Sequence, residues 1–225
     1  MSQTRCKEVF YFDELSEQAK EQARVWYRQG FDYDWWDNVY DTIQDAARYL
    51  GLTFSTRAVP LMNGKTSHEP EIYFSGFYHQ GSGSSFAGTW RAKDTDADKL
   101  KADFHTDKDL HAIADKLAAL AYENPGLSAS ISTRGDNWIT VEVDDGEERN
   151  ELLDTFPYDS PEYRACAAED RAREDRLEET LRDFNRWIYT SLRDEYEYLT
   201  ADEQVDESIR ANEYEFTEDG KRYHY

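Results

Sequence analysis

The amino-acid sequence predicts an α+β fold, in which an antiparallel sheet of about five to seven strands packs with N-terminal helices and precedes a long acidic helical region. Apolar residues recur at helical spacing near both ends of the chain, whereas the middle alternates in the manner of strands separated by Gly, Ser and Asn. Aromatic residues make up 15% of the chain and apolar residues 39%, so large aromatic side chains can supply much of the core.

The first fifty residues predict one strand and two helices. Residues 7–12 alternate as a strand does. One face of the first helix carries the apolar residues Leu15, Ala19, Ala23, Trp26 and Tyr27. Ser16 is placed to cap the start of this helix, and Gly30 is placed for a left-handed C-terminal cap. A second helix over residues 35–50 ends at Gly51, and we expect the two helices to form one packed unit.

The middle of the chain predicts strands and one further helix. Strands are expected over residues 52–59, 71–78, 85–91, 127–133 and 138–143, with a loop over residues 62–70. Asp107 is placed to cap a helix over residues 107–122. Short runs rich in Gly, Ser or Asn at residues 79–84 and 134–137 predict two hairpins.

The last third of the chain predicts helices. Ser160 followed by Pro161 is a strong helix start, because proline is tolerated in the first turn. Apolar residues then recur at spacings of three and four, at Leu177, Leu181, Phe184, Ile188, Leu192, Tyr196 and Leu199. The charged stretch 165–176 is expected to project into solvent, and Thr200 with Glu203 predicts a capping box for a final helix.

Charge is distributed unevenly along the chain. There are 48 acidic and 26 basic residues, for a net charge of −22, and residues 136–225 contribute −17 of it. Such a field repels nucleic acid and anionic membranes, so we expect no direct nucleic-acid binding and no membrane binding. In the absence of repeats or long linkers, we expect one domain over residues 1–225, with a mixed scaffold over 1–145 and an acidic helical region over 146–225.

Cysteine, histidine and hydropathy patterns predict a cytoplasmic protein without a cofactor or metal. Cys6 and Cys166 form no paired framework, which favours reduced thiols, and no run is apolar enough for a signal peptide or a membrane span. The five histidines lack metal-ligand spacing. Residues 94–105 begin like a calcium loop, but Lys99 and His105 occupy its two diagnostic positions. No combination of residues predicts a catalytic site, so we expect a protein that binds and does not catalyse.

The most unusual local sequence is the Gly/Ser-rich run 75–88. Glycines and small hydroxyl residues can present backbone N–H groups to an anion. The run lacks the lysine of a phosphate-binding loop and precedes a strand, so a plain β-hairpin whose glycines satisfy turn geometry is the favoured interpretation. The alternative is a ligand or partner contact through His79, Gln80, Ser82 and Ser84.

The acidic region admits three interpretations: adaptation for solubility or a salty cytoplasm, a solvated helix face stabilised by alternating charge, and a surface that mimics nucleic acid. If it binds a partner, the candidate residues are Asp144, Asp145, Glu169, Asp170, Glu174, Asp175, Glu178, Glu179, Asp183, Asp194 and Glu197. The uneven placement of charge argues against uniform salt adaptation and leaves the other two open.

Several motifs resemble a family of uncharacterised phage and prophage proteins, some of which are loosely labelled antitoxin-like. They are the start FDELSEQAK at residues 12–20, the Trp35-Trp36 pair, the hairpin IYFSGF at 72–77 with Gln80-Gly81 and Phe86-Ala87-Gly88, and the ending NEYEFTEDG at 212–220. The resemblance implies a phage context and a bacterial host cytoplasm. It brings no catalytic residues.

Together, these features lead us to expect a non-enzymatic, phage-encoded inhibitor of a host defence system, comparable to an anti-CRISPR protein. Its acidic surface would bind a basic host protein or nucleoprotein complex, with carboxylates standing in for phosphates. One alternative is an antitoxin-like partner of a basic toxin. A second is an enzyme that binds a nucleotide or small ligand at the Gly/Ser hairpin, which predicts a pocket with converging polar groups there. The sequence leaves the oligomeric state open.

Overall fold

A computed structural model of the chain describes residues 8–31, 35–62, 64–144 and 155–223. The helices are α1 Glu17–Gln29, α2 Asp37–Tyr49, α3 Ala97–Asp103, α4 Lys108–Glu123, α5 Pro161–Thr200 and α6 Asp202–Ala211. The strands are β1 Phe10–Tyr11, β2 Leu50–Phe54, β3 Thr56–Pro60, β4 Thr66–Pro70, β5 Ile72–Phe74, β6 Ser84–Phe86, β7 Gly88–Thr95, β8 Ser128–Thr133, β9 Ile139–Asp144 and β10 Glu215–Phe216. The α+β class, the antiparallel pairing and the long C-terminal helix are confirmed.

The chain forms two compact units. Residues 1–37 and 192–225 make up the first unit, and residues 38–191 make up the second. Helix α5 contributes to both, with its last nine residues in the first unit. Helices α1 and α2 belong to different units, so the prediction that they form one packed unit is wrong. That the whole chain is one domain stays a prediction.

The first unit packs α1 against α6. Its buried core consists of Phe12, Leu15, Ala19, Ala23, Val205, Ile209 and Phe216. Ser16 caps α1 as predicted, since its hydroxyl accepts a hydrogen bond from the Ala19 N–H. Gly30 ends the helix with φ −92°, so the predicted left-handed cap is wrong. Across the two helices, Arg24 donates two hydrogen bonds to the Asp206 carboxylate, at 2.7 and 2.8 Å, which raises the pKa of the guanidinium.

The second unit is built on a four-stranded antiparallel sheet in the order β2-β7-β8-β9. Side chains of β7 alternate across the sheet, and the completely buried Trp90 donates its indole N–H to the Leu50 carbonyl at 2.9 Å. Gly51, expected to end α2, lies inside β2 with φ +77° at a shift in strand register. Helix α4, capped by Asp107 as predicted, packs on β7.

The remaining described strands pair two by two, as β1-β10, β3-β4 and β5-β6. The expected sheet of five to seven strands is therefore divided into one sheet of four and three of two. The prediction of a loop over residues 62–70 is wrong for its second half, because Thr66–Pro70 forms strand β4 and pairs with β3. Pro60 and Pro70 are the last residues of these two strands and, lacking an N–H, donate no hydrogen bond to the ladder.

Helix α5 is 40 residues long and begins where the sequence predicts, with the Ser160 hydroxyl accepting a hydrogen bond from the Tyr163 N–H. Leu177, Leu181, Phe184 and Ile188 are completely buried. The expectation that 165–176 projects into solvent is wrong, because Cys166, Asp170 and Arg173 are all more than nine-tenths buried.

The predicted capping box before α6 is also wrong. The hydroxyl of Thr200 donates back to the Tyr196 carbonyl at 2.7 Å, and Ala201 occupies the N-cap position without a side-chain hydrogen bond. A threonine in the last turn of a helix can satisfy its hydroxyl on the preceding turn, and this local bond competes with capping. Over the ranges that the structure describes, no helix is both long enough and apolar enough to cross a membrane.

Candidate functional site

Most of the predicted acidic residues on α5 are paired with a basic side chain. Asp183 accepts hydrogen bonds from Lys116 at 2.7 Å and Arg186 at 2.8 Å. Glu178 accepts from Arg182, one turn along the helix. Such pairing supports the interpretation of α5 as a helix stabilised by alternating charge. These two carboxylates are thus largely compensated within the protein.

Six of the other predicted acidic residues fall into three groups. Asp170 is buried against Arg173 at 3.0 Å, and Asp194 and Glu197 both lie near Arg193 in the first unit. Asp144 and Glu169 are exposed, at the end of β9 and on α5. Asp145 lies outside the described residues. The structure therefore does not bring the whole predicted set onto one surface.

One cluster remains strongly acidic and exposed. We call Glu174, Asp175, Glu178 and Glu179 the carboxylate patch. They form two adjacent pairs of like charge at i and i+4 on α5. Within the described part of the chain, Glu174, Asp175 and Glu179 make no ion pair, and all three are exposed. The patch is the part of the predicted surface that carries uncompensated charge.

A shallow apolar groove lies beside the carboxylate patch, between α4 and α5. It has a volume of about 240 Å³ and is lined by Lys116, Ala119, Leu120, Arg176, Glu179 and Thr180. Arg176 bridges to Glu123 at the end of α4, at 2.8 Å, and this hydrogen bond lowers the pKa of Glu123. The neighbouring Tyr122 is 91% exposed. Negative charge and an apolar groove are thus adjacent, and the exposed Tyr122 precedes Glu123 on α4.

The Gly/Ser run is a β-hairpin, formed by β5 and β6. Gly83 is required by close packing, because a Cβ there would lie 2.9 Å from the Cβ of Asn137. Ser84 is buried, and its hydroxyl donates to the Asn185 carbonyl on α5 at 2.8 Å. In return, the Asn185 amide donates to the Ser84 carbonyl at 2.7 Å. These bonds fix the hairpin on α5.

A second groove lies where the hairpin, the β8–β9 connection and α5 meet, and we call it the hairpin groove. It has a volume of about 250 Å³. Residues 82–84 line one side, and the remaining lining is Asn137, Trp138, Ile139, Arg182, Asn185, Arg186 and Tyr189. The guanidinium of Arg182 lies 4.7 Å from the centre of the Trp138 ring. The lining described in the structure contains two arginines and no carboxylate.

Of the four hairpin residues predicted as binding groups, Ser82 and Ser84 line this groove. His79 and Gln80 are exposed at the hairpin turn and are not part of the lining. Sequence reasoning missed Trp138, Arg182 and Arg186. The two arginines, four residues apart on an acidic helix, were a visible signal, but their proximity to the hairpin depends on the fold.

A comparison with models of protein families assigns most of the chain to one family. The model of a family described as a domain of unknown function (DUF8835) matches residues 35–202. The chain belongs to this family. No curated protein and no solved structure matches it. The DUF8835 region contains the whole second unit, and therefore both the carboxylate patch and the hairpin groove.

The DUF8835 region offers no evident metal centre, since the described residues contain no group of three or more His, Cys, Asp or Glu side chains arranged to hold an ion. Cys166 is a free, buried thiol within the DUF8835 region. The candidate binding features of the DUF8835 region are the carboxylate patch, the groove beside it and the hairpin groove.

Proposed function

We propose that the protein is a non-enzymatic binding protein whose carboxylate patch docks on a basic surface of a protein partner. The arrangement of the patch is the observation that supports it most. Like charges at i and i+4 each destabilise a helix by about 0.2–0.5 kcal/mol, and the patch contains two such pairs side by side. Arg182 relieves only one member, Glu178. Charge that costs helix stability and remains exposed is typical of a binding surface.

The net charge of −22 supports the same proposal. A strongly charged protein attracts an oppositely charged surface over about one Debye length, which is about 8 Å at physiological ionic strength. This steering raises association rates by roughly 10- to 1,000-fold. It selects basic protein surfaces and repels the phosphate backbone of free nucleic acid.

Apolar contact would supply affinity that charge alone does not. Aromatic residues are enriched among the few side chains that dominate the binding energy of interfaces. Tyr122 is the exposed aromatic residue next to the bridge between Glu123 and Arg176. The apolar part of the adjacent groove, from Ala119 and Leu120, can accept one side chain of the partner.

The class of partner follows from the chemistry of the patch together with the family resemblance. Asp175 and Glu179 are one helical turn apart, about 6 Å along the axis, so they present successive negative groups as a nucleic-acid strand does. A basic groove that normally holds nucleic acid would accept them. We propose a host protein or nucleoprotein complex that handles nucleic acid, such as a CRISPR effector, and a phage-encoded inhibitor as the role.

Charge reversal tests the patch. The variant Glu174→Lys/Asp175→Lys/Glu179→Lys changes the net charge by +6, and so does the control Asp41→Lys/Asp94→Lys/Glu142→Lys, whose three carboxylates are also exposed. Each tagged protein is used to capture proteins from a bacterial lysate at low and high salt, with quantification by mass spectrometry.

The expected result is a basic protein or complex that the wild type and the control capture at low salt and that the patch variant loses by at least about tenfold, as expected when several charge pairs are removed. Equal loss in both variants would show that only total charge matters. Equal capture by all three proteins would rule out the patch as the docking surface.

A further inference from the structure

The lining of the hairpin groove contains two arginines in a strongly negative protein, and each arginine also pairs with a carboxylate outside the lining, Arg182 with Glu178 and Arg186 with Asp183. Acidic residues outnumber basic ones by 48 to 26 over the chain, yet the groove lining has two arginines and no carboxylate among the residues described. Asn137, Asn185 and two serines add polar groups without charge. The absence of a carboxylate from this described lining distinguishes the groove from the acidic surface around it.

The two arginines are held in different ways. Arg182 stacks on Trp138 and donates through Nη2 to Glu178, while its Nε is buried without a hydrogen bond in the described part of the chain. Arg186 is 73% exposed, and only its Nη1 is engaged there, by Asp183 at 2.8 Å. The other donors of the Arg186 fork are therefore available to an anion. A guanidinium fork suits the oxygen geometry of phosphate.

Aromatic surface lies beside these donors. Trp138 is 47% exposed although the Arg182 guanidinium covers part of it. Tyr189, whose ring also packs on Phe77 at 5.5 Å, lines the same groove from the next turn of α5. Planar rings stack on such side chains with about 1–3 kcal/mol per nucleic-acid base in single-strand binding proteins. The groove can thus hold a ring and an anionic group in the same ligand.

The side-chain amide of Asn137 favours a ligand whose ring carries a polar N–H or O–H group. The amide nitrogen of Asn137 donates to the Gly81 carbonyl at 2.8 Å, which fixes the orientation of the amide. Its oxygen makes no hydrogen bond within the described residues, so it can accept one from a ligand N–H or O–H. Asn185 is already committed to Ser84 and acts as structural support.

We propose that the hairpin groove binds a small organic phosphate that carries a planar ring, of the nucleoside monophosphate class. Arg186 contacts the phosphate, Trp138 and Tyr189 contact the ring, and Asn137 accepts a hydrogen bond from it. Small-molecule pockets span about 300–1,000 Å³, so a groove of about 250 Å³ lies just below that range and holds a ligand of this size with part of it in solvent. A polymer of nucleotides is disfavoured by the net charge of −22.

Isothermal titration calorimetry on the full chain tests this site. The probes are the four nucleoside monophosphates, adenosine, inorganic phosphate and a single-stranded oligonucleotide. The variants are Arg186→Gln and Trp138→Leu. The matched control is Arg164→Gln, because Arg164 lies on the same helix, is 67% exposed and also pairs with an aspartate, Asp159.

At least one monophosphate is expected to bind, with adenosine and inorganic phosphate weaker by about tenfold or more, since each lacks half of the recognised groups. Arg186→Gln and Trp138→Leu should each weaken this binding about tenfold, and Arg164→Gln should leave it within about twofold. The inference is overturned if no monophosphate binds, if inorganic phosphate binds as tightly, if the oligonucleotide binds more tightly, or if Arg164→Gln matches Arg186→Gln. Partner capture through the carboxylate patch is scored separately, so either proposal can fail alone.

Discussion

Replacing Asn185 with alanine tests how the Gly/Ser hairpin is held on α5. The Asn185 amide donates to the buried Ser84 carbonyl at 2.7 Å, and its oxygen lies 3.1 Å from the Ser84 hydroxyl. Removing the amide leaves the carbonyl without this donor, and a buried polar group that loses its partner costs about 1–3 kcal/mol. We therefore expect Asn185→Ala to lower the free energy of unfolding by about 2 kcal/mol.

The Ser84→Ala variant removes a single hydroxyl and should cost about 1 kcal/mol. The double variant should show a coupling energy of at least about 0.5 kcal/mol, because the two side chains share a hydrogen bond. Urea unfolding followed by circular dichroism and tryptophan fluorescence measures all three values. Asn212→Ala is the control, since Asn212 makes a comparable amide bond to Ser208 but in an exposed position.

A loss in Asn185→Ala no larger than in Asn212→Ala would refute the account of how the hairpin is anchored. Strict additivity of Ser84→Ala and Asn185→Ala would refute the direct contact between the two side chains. The same variants should weaken any ligand bound in the hairpin groove, because both residues line it.

Two further predictions concern the first unit. Gly220→Ala should lower the free energy of unfolding in urea by at least about 2 kcal/mol, because Gly220 has φ +78° and a Cβ would lie 2.0 Å from the Ala19 carbonyl oxygen. The control Gly126→Ala should cost almost nothing, because the space around Gly126 is open. Equal losses in the two variants would contradict this explanation. The hydrogen bond from Lys221 lowers the pKa of Asp219 to about 2, so its stabilising effect is present at neutral pH and is lost as pH falls through about 2. NMR titration of the Asp219 carboxyl carbon should show a pKa of about 2, and Lys221→Ala should move this pKa toward 3.8. A pKa near 3.8 in the unmodified protein would contradict the contact between Lys221 and Asp219.

Local signals in the sequence predicted the long helix and its start. Ser160-Pro161 is a helix-initiating pair that needs no tertiary context, and the apolar stripe from Leu177 to Leu192 fixes the buried face. Strand β4 was missed for a physical reason. It pairs only with β3, and none of its residues is buried, so β4 lacks the alternation of apolar and polar residues that a half-buried strand carries.

The acidic surface was predictable as a region but not as a set of residues. Whether a carboxylate is compensated depends on which basic side chain the fold brings near it. Lys116 reaches Asp183 from another helix, 67 positions away along the chain. Arg182 likewise meets Trp138 only because the β8–β9 connection packs beside α5. Contacts of this range leave no signature in a single sequence.

Electrostatic recognition through the carboxylate patch is the central claim, and the salt dependence of binding tests it most directly. The association and dissociation rate constants of the protein with its captured partner are measured by surface plasmon resonance between low and high ionic strength. The account predicts that the association rate falls at least about tenfold as salt rises, while the dissociation rate changes much less. An association rate that stays flat across this range would contradict it.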